Sequence, residues 1–156
     1  ASFDPERLES LRSRLSAAYK GINVLILREG ASDFFWKGRI QQLDTQEVAL
    51  DIHHIFPRAW CEAQGIQPKV YDSIINKTPI SYKANRMIGG DAPSAYLAKL
   101  QNHDQVQLDN GEMDAILSEH FIPTERLRAD DFHGFFDERK RLLMGLIEQA
   151  MGKRSL

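Results

Sequence analysis

The stretch DIHHIFP, residues 51 to 57, sets two adjacent histidines between an acidic residue and a proline, and NKTPISYKANR, residues 76 to 86, follows it. The residues leading in, EVALDIHHIF, are apolar and β-branched up to Pro57, which predicts an extended strand through Val48 to His54 with both histidines near its end. Neighbours on a strand point to opposite sides, so His53 and His54 cannot serve the same role at the same atom. Between Pro57 and Pro79 the chain carries Gly65, Pro68 and short polar runs, which predict a short helix near Ala59 to Gln64 and then a long excursion. Ser81 can cap a helix running through Asn85 to Ile88, and Gly89 with Gly90 stops it. The order is therefore strand, loop, helix.

Outward from this block the signals are helical. Asp4 and Pro5 supply a cap and a first-turn proline, and Leu8, Leu11 and Leu15 recur at helical spacing until Gly21, which predicts an N-terminal helix over residues 4–20. INVLIL, residues 22 to 27, is apolar without a period and is compatible with a buried strand or a buried helix turn. Asp91 with Pro93 starts a helix through Leu100. Asp130 or Asp131 caps a long amphipathic helix over residues 130–151, closed by Gly152. Its apolar positions Phe132, Phe135, Phe136, Leu142, Leu143, Leu146, Ile147 and Ala150 make one core-facing stripe, paired with the N-terminal helix.

A chain of 156 residues, 42% hydrophobic and 27% charged, is sized for one domain over residues 1–156 rather than two. A net charge of −2 gives no chain-wide field for a polyanion, so any nucleic-acid contact must be local. The charge is segregated. From Ile52 to Gly90, Arg58, Lys69, Lys77, Lys83 and Arg86 face only Glu62 and Asp72, whereas from Asp91 to Pro123 Lys99 stands alone against six carboxylates. One cysteine, Cys61, excludes an internal disulfide framework, and no apolar run reaches the roughly 18 residues of a membrane span. A soluble, cytoplasmic protein with no membrane contact is expected.

DIHHIFP, then YDSIINKTPIS, then NRMIGGDAPSAYL resemble, in that order, the His-Me finger (HNH) endonucleases, and most closely the C-terminal nuclease domain of GmrSD-type modification-dependent restriction enzymes. ASDFFWKG before this core and DFHGFFDERKRLLMGLIEQAMGK after it also look familial, so the resemblance covers most of the chain. It implies an α+β fold with a ββα-metal core over about residues 48–90 surrounded by helices, and metal-dependent hydrolysis of DNA phosphodiesters in restriction or phage defence. It also implies a larger parent protein, whose N-terminal domain binds nucleotide and senses the modification.

The chemistry agrees with those residue types. Phosphodiester hydrolysis needs a deprotonated water in line with the leaving 3′-oxygen, and positive charge where negative charge gathers. A histidine of ordinary pKa near ~6.5 is partly neutral at physiological pH and can take that proton. The resemblance implies that His54 is the general base and that Asn76 holds the loop and the base in position. It further implies His53 and Asn85 as metal ligands, with Asp51 at or behind the metal. Arg86, Lys77, Lys83 and Arg58 are expected phosphate contacts. One imidazole and one amide oxygen, completed by water and phosphate, suit Mg²⁺ or Mn²⁺ better than a closed zinc cage.

Other readings of the same residues exist. His103, His120 and His133 are read as structural, and Cys61 as a small buried side chain. A zinc knuckle from His53, His54 and Cys61 lacks a fourth soft ligand. Gly89 and Gly90 fit no phosphate-binding loop pattern. The rival functions are a DNA-binding module that keeps the fold without cutting, and an RNase.

Overall fold

The computed structural model of the chain describes residues 4–12, 17–36, 38–40, 43 and 50–154. Strand β1 (Leu50–His54) pairs antiparallel with β2 (Lys77–Ser81), so that His54 lies opposite Lys77, His53 opposite Thr78 and Leu50 opposite Ser81. Pro79 lacks an N–H to donate, and this two-stranded sheet offers it an edge on which none is required. The expected start of β1 at Val48 lies outside the described residues.

The excursion between the strands is built rather than open. It holds α3 (Arg58–Ala63), α4 (Pro68–Tyr71) and a 3-10 turn at Ile74–Asn76. Gly65, at φ +77, turns the chain after α3, and Pro68 sits in the first turn of α4, where its missing N–H is harmless. After β2 comes α5 (Tyr82–Ile88), with the Ser81 hydroxyl accepting the Ala84 N–H at 3.0 Å and Gly89 at φ 54 ending it, as the sequence predicts. Strand, strand and helix thus follow one another around the two histidines.

The remaining helices wrap this unit. They are α1 (Pro5–Ser10), α2 (Ala17–Arg28), α6 (Pro93–Asn102), α7 (Asn110–Glu119), α8 (Thr124–Arg128) and α9 (Phe132–Arg154). The architecture is accordingly α+β, and among the described residues no helix is long and apolar enough to cross a membrane.

Several boundaries depart from the sequence reading, each for a local reason. The single N-terminal helix over 4–20 is two: α1 ends at Leu11, whose backbone is extended and whose carbonyl accepts the Ile74 N–H at 2.8 Å, a tertiary bond a continuing helix could not make. Leu15 lies outside the described residues. Gly21 does not stop α2, because Tyr19, Ile22, Asn23 and Ile26 form a buried face at helical spacing, and that burial outweighs the ~1 kcal/mol a helical glycine costs. INVLIL is thereby helical. Asp91 does not start α6; Ala92 precedes the helix, and Asp91 instead pairs with Lys99 at 2.7 Å. Gly152 lies inside α9, and Leu142 is 44% exposed rather than part of the stripe.

The core is one cluster. Phe56, just beyond β1, packs edge-on against Phe132 at 5.2 Å and at a tilt against Phe135 at 4.9 Å, so the segment leaving the histidines is anchored to α9, the longest described helix. Full burial of such a ring contributes roughly 1.5–3 kcal/mol. Helix α9 also packs on α1, on α2 and on the Ile74–Asn76 turn.

Candidate functional site

His54 closes β1, and its Nε2 lies 2.7 Å from Oδ1 of Asp72, just after α4. An ionised carboxylate only accepts, so this contact places the neutral ring's proton on Nε2 and leaves the lone pair on Nδ1. Among the described residues no group bonds Nδ1. Burial holds His54 below its ordinary pKa; the Asp72 hydrogen bond opposes that shift and Lys77, directly across the sheet, adds to it. The result is an imidazole that is neutral, oriented and partly open, with 28% of its side chain exposed.

Asn76 is a fully buried clamp. Its Oδ1 accepts the Phe56 N–H at 2.8 Å, while its Nδ2 donates to the carbonyls of Phe56 at 3.0 Å and Tyr71 at 2.9 Å. Its own carbonyl accepts the Ile55 N–H at 2.8 Å. One side chain thus ties the segment after His54 to the end of α4, next to Asp72. The Tyr96 hydroxyl, donating to the Ile55 carbonyl at 2.8 Å, fixes the same segment from α6.

Asp51 and His53, two apart on β1, project to the face opposite His54. The Asp51 Oδ1 accepts the neighbouring Ile52 N–H at 2.8 Å and the side chain is exposed. Asn85 lies half-buried in the middle of α5, which packs against both strands, and no described residue hydrogen-bonds its carboxamide. Among the described residues no three His, Cys, Asp or Glu side chains converge as metal ligands; the expected set has only two such residues, with an amide as the third donor.

The cations divide. Lys77 faces His54 across the strands, with its ammonium 5.7 Å from the Tyr19 ring. Arg58 turns to Glu62 at 2.6 Å, which also accepts the Tyr71 hydroxyl at 3.0 Å. Lys83 sits over the Phe35 ring at 5.2 Å and Arg86 over the Tyr82 ring at 5.7 Å.

Of the remaining polar groups, His120, Arg139 and Cys61 are closed off from solvent, while His103 is half-buried and His133 exposed. His120 is fully buried: its Nε2 donates to the Ser32 carbonyl and its Nδ1 accepts from the Thr78 hydroxyl, both at 2.7 Å, and burial pushes its pKa down to about 4. His103 accepts the Gln105 N–H through Nδ1 at 3.1 Å, and the His133 ring meets Phe132 edge-on. The Cys61 thiol is buried and pushed up to about 12 by desolvation, an unreactive state. Arg139, also fully buried, donates to the carbonyls of Ile74, Ile75, Lys77 and His120 at 2.7–3.1 Å and, among the described residues, bonds no carboxylate.

Two positioning residues were not singled out from sequence. Asp72 lies within the quoted YDSIIN block, four residues before Asn76, but a spacing of 18 residues from His54 carries no pairing signal. Arg139 carries a usable one: a charged residue between Phe135, Phe136 and Leu143, on the buried face of an amphipathic helix, needs a buried partner.

No family model matches the chain. It is similar to an uncharacterized protein of Methanocaldococcus jannaschii, 28% identical over 156 aligned residues that cover 88% of this chain. The alignment covers 26% of that relative, so the chain spans about a quarter of its length. No solved structure matches.

Proposed function

We propose that the chain is a metal-dependent endonuclease domain of the His-Me finger type, hydrolysing DNA phosphodiester bonds as the cutting part of a restriction or phage-defence protein. The observation that carries the reading is the His54–Asp72 pair at 2.7 Å, braced by the Asn76 clamp at the mouth of a strand-strand-helix unit whose helix bears Asn85. The resemblance of DIHHIFP and NKTPISYKANR supports it independently. In the same reading, sensing of modified DNA belongs to an N-terminal nucleotide-binding domain of the parent protein.

The steps follow from the site's own atoms. His54, with its proton held on Nε2 by Asp72, accepts a proton from water at Nδ1 as the water oxygen bonds to phosphorus. The bond to the 3′-oxygen breaks on the opposite side with its electron pair, that oxygen takes a proton from solvent to become the 3′-hydroxyl, and the new 5′-phosphate keeps the water's oxygen. Lys77, opposite His54, and Arg86 of α5 bring positive charge toward the phosphate. His53 and Asn85, with Asp51 behind them, offer imidazole, amide and carboxylate donors that fit a hard divalent ion, Mg²⁺ or Mn²⁺. Such an ion supplies Lewis-acid charge at the phosphate and the leaving oxygen when bound.

A nicking assay on supercoiled plasmid, in Mg²⁺, Mn²⁺ and EDTA with a parallel RNA digest, tests the proposal. Conversion that needs the divalent ion and is lost on His54→Ala is expected. Binding without cleavage in either ion would leave a DNA-binding module, and cleavage confined to RNA would change the substrate.

A further inference from the structure

Four large apolar side chains stand exposed among the described residues, and the two aromatic ones, Trp36 (36% exposed) and Tyr82 (54%), are joined by one buried carboxylate. Asp33, 1% exposed, accepts the N–H groups of Phe35 at 3.0 Å and Trp36 at 2.9 Å. It also accepts the Ser81 N–H at 2.6 Å and the Ser81 hydroxyl at 2.8 Å. Four hydrogen bonds to one ion fix the turn that carries Trp36 to the residue that caps α5, and Tyr82 is the first residue of that helix. The two rings are therefore held on one frame.

Cations accompany them. Trp36 packs edge-on to Phe35 at 4.9 Å, Lys83 lies over that Phe35 ring, and Arg86 lies over Tyr82. Neither Lys83 nor Arg86 pairs with a carboxylate among the described residues, unlike Arg58, Lys99, Arg126, Arg128 and Lys140. Exposed rings beside unneutralised cations match a ligand that offers flat π-faces and phosphate charge together. In a duplex the base faces are covered by stacking; unpaired bases leave them open.

We infer that Trp36 and Tyr82, with Lys83 and Arg86, form a stacking platform for the unpaired bases of a single-stranded segment next to the bond that is cut. The inference rests on the nuclease reading for the identity of that bond. β2 runs from Lys77 opposite His54 to Ser81 at the platform, four residues at ~3.4 Å each, or roughly 14 Å. The platform therefore grips the strand within a few nucleotides of the scissile phosphate.

The test measures binding in EDTA, so that cleavage does not intervene. Fluorescein anisotropy compares a 20-nucleotide single strand with the duplex of the same sequence. The single strand is expected to bind at least about fivefold more tightly. Trp36→Ala and Tyr82→Ala should each weaken it by roughly 5- to 100-fold with little change for the duplex, and Trp36→Phe should restore most of the loss. Intrinsic tryptophan emission should be quenched by the oligonucleotide in Trp60→Phe but not in Trp36→Phe. Equal affinity for the two forms, or alanine variants that bind as the unaltered chain does, would overturn the platform. So would failure to bind either oligonucleotide, together with concentration-dependent self-association lost on Tyr82→Ala, which would make the face a contact between copies of this chain. Single-strand binding without metal-dependent cleavage would remove the nuclease reading and leave the platform, whereas cleavage unaffected by both alanines would do the reverse.

Discussion

His54 ends β1 and His120 bonds to Thr78 of β2, its partner strand, yet their surroundings make them different chemical objects. His120 spends both ring nitrogens, one on the Ser32 carbonyl and one on the Thr78 hydroxyl, in a fully buried setting, and has no lone pair left to accept a proton from an incoming molecule. His54 commits only Nε2, to a carboxylate, and remains partly open to solvent. Burial alone does not separate a closed from an open histidine, since it lowers the pKa of both. The partner and the remaining valence do.

The contrast is broken most directly at His54. On the nuclease proposal, His54→Ala is expected to reduce metal-dependent nicking by about 10²- to 10⁴-fold while the urea midpoint scarcely moves, because Asp72, 40% exposed, is left facing water. An enzyme that still turned over normally without this imidazole would put the base elsewhere.

The closed side answers the opposite way. Arg139 is held by four carbonyls, three of them from Ile74, Ile75 and Lys77, the residues around Asn76. Arg139→Met keeps much of the side chain's volume but strands those acceptors in the interior, and should destabilise the fold by about 3 kcal/mol or more. Chemical denaturation reads this without any activity. A loss below about 0.5 kcal/mol would mean that water replaces the guanidinium, and that the carbonyls are less secluded than their burial implies.

What was legible in the sequence follows the same division. The strand-loop-helix order, the Ser81 cap and the Gly89 stop are written in neighbouring residues, because caps and stops act within one turn. Asn76 stands out only through the resemblance of its block, and its buried bonds to Phe56 and Tyr71 account for an amide at that position. Asp72 and the Thr78–His120 bond carry no local signal, since each depends on a partner 18 or 42 residues away, and Arg139 stands out as a charge on a buried helix face while its carbonyl partners, up to 65 residues away, do not. The break at Leu11 has the same origin: a leucine repeat predicts continuation, and only the distant Ile74 N–H, taking the Leu11 carbonyl, explains the stop.

A smaller effect separates the histidines by pH. His120 is held at about 4 when folded, against an ordinary value of 6.5, so the folded state resists the proton that the unfolded chain accepts. Its contribution to stability is complete above 6.5 and is lost as pH falls toward 4. Between pH 7 and pH 5 this amounts to about 2 kcal/mol, readable as a falling thermal midpoint. His120→Gln, which cannot titrate, should flatten the slope in that window even if its midpoint is lower throughout. An unchanged slope would assign the acid sensitivity to other groups.

The finest comparison lies inside the open site, between orientation and charge as the service Asp72 renders. Asp72→Asn can still turn a carbonyl oxygen toward the Nε2 proton and so preserve the ring's direction without the anion. Asp72→Ala removes both. If orientation dominates, the asparagine variant keeps turnover within about threefold and the alanine variant loses about tenfold, with KM unchanged in each because, on the nuclease proposal, neither position contacts the DNA. If charge dominates, the two variants fall together. Partial exposure of the pair weakens the charge contribution, which favours the first pattern. An alanine variant with undiminished kcat would make the 2.7 Å contact a surface ion pair with no bearing on the reaction.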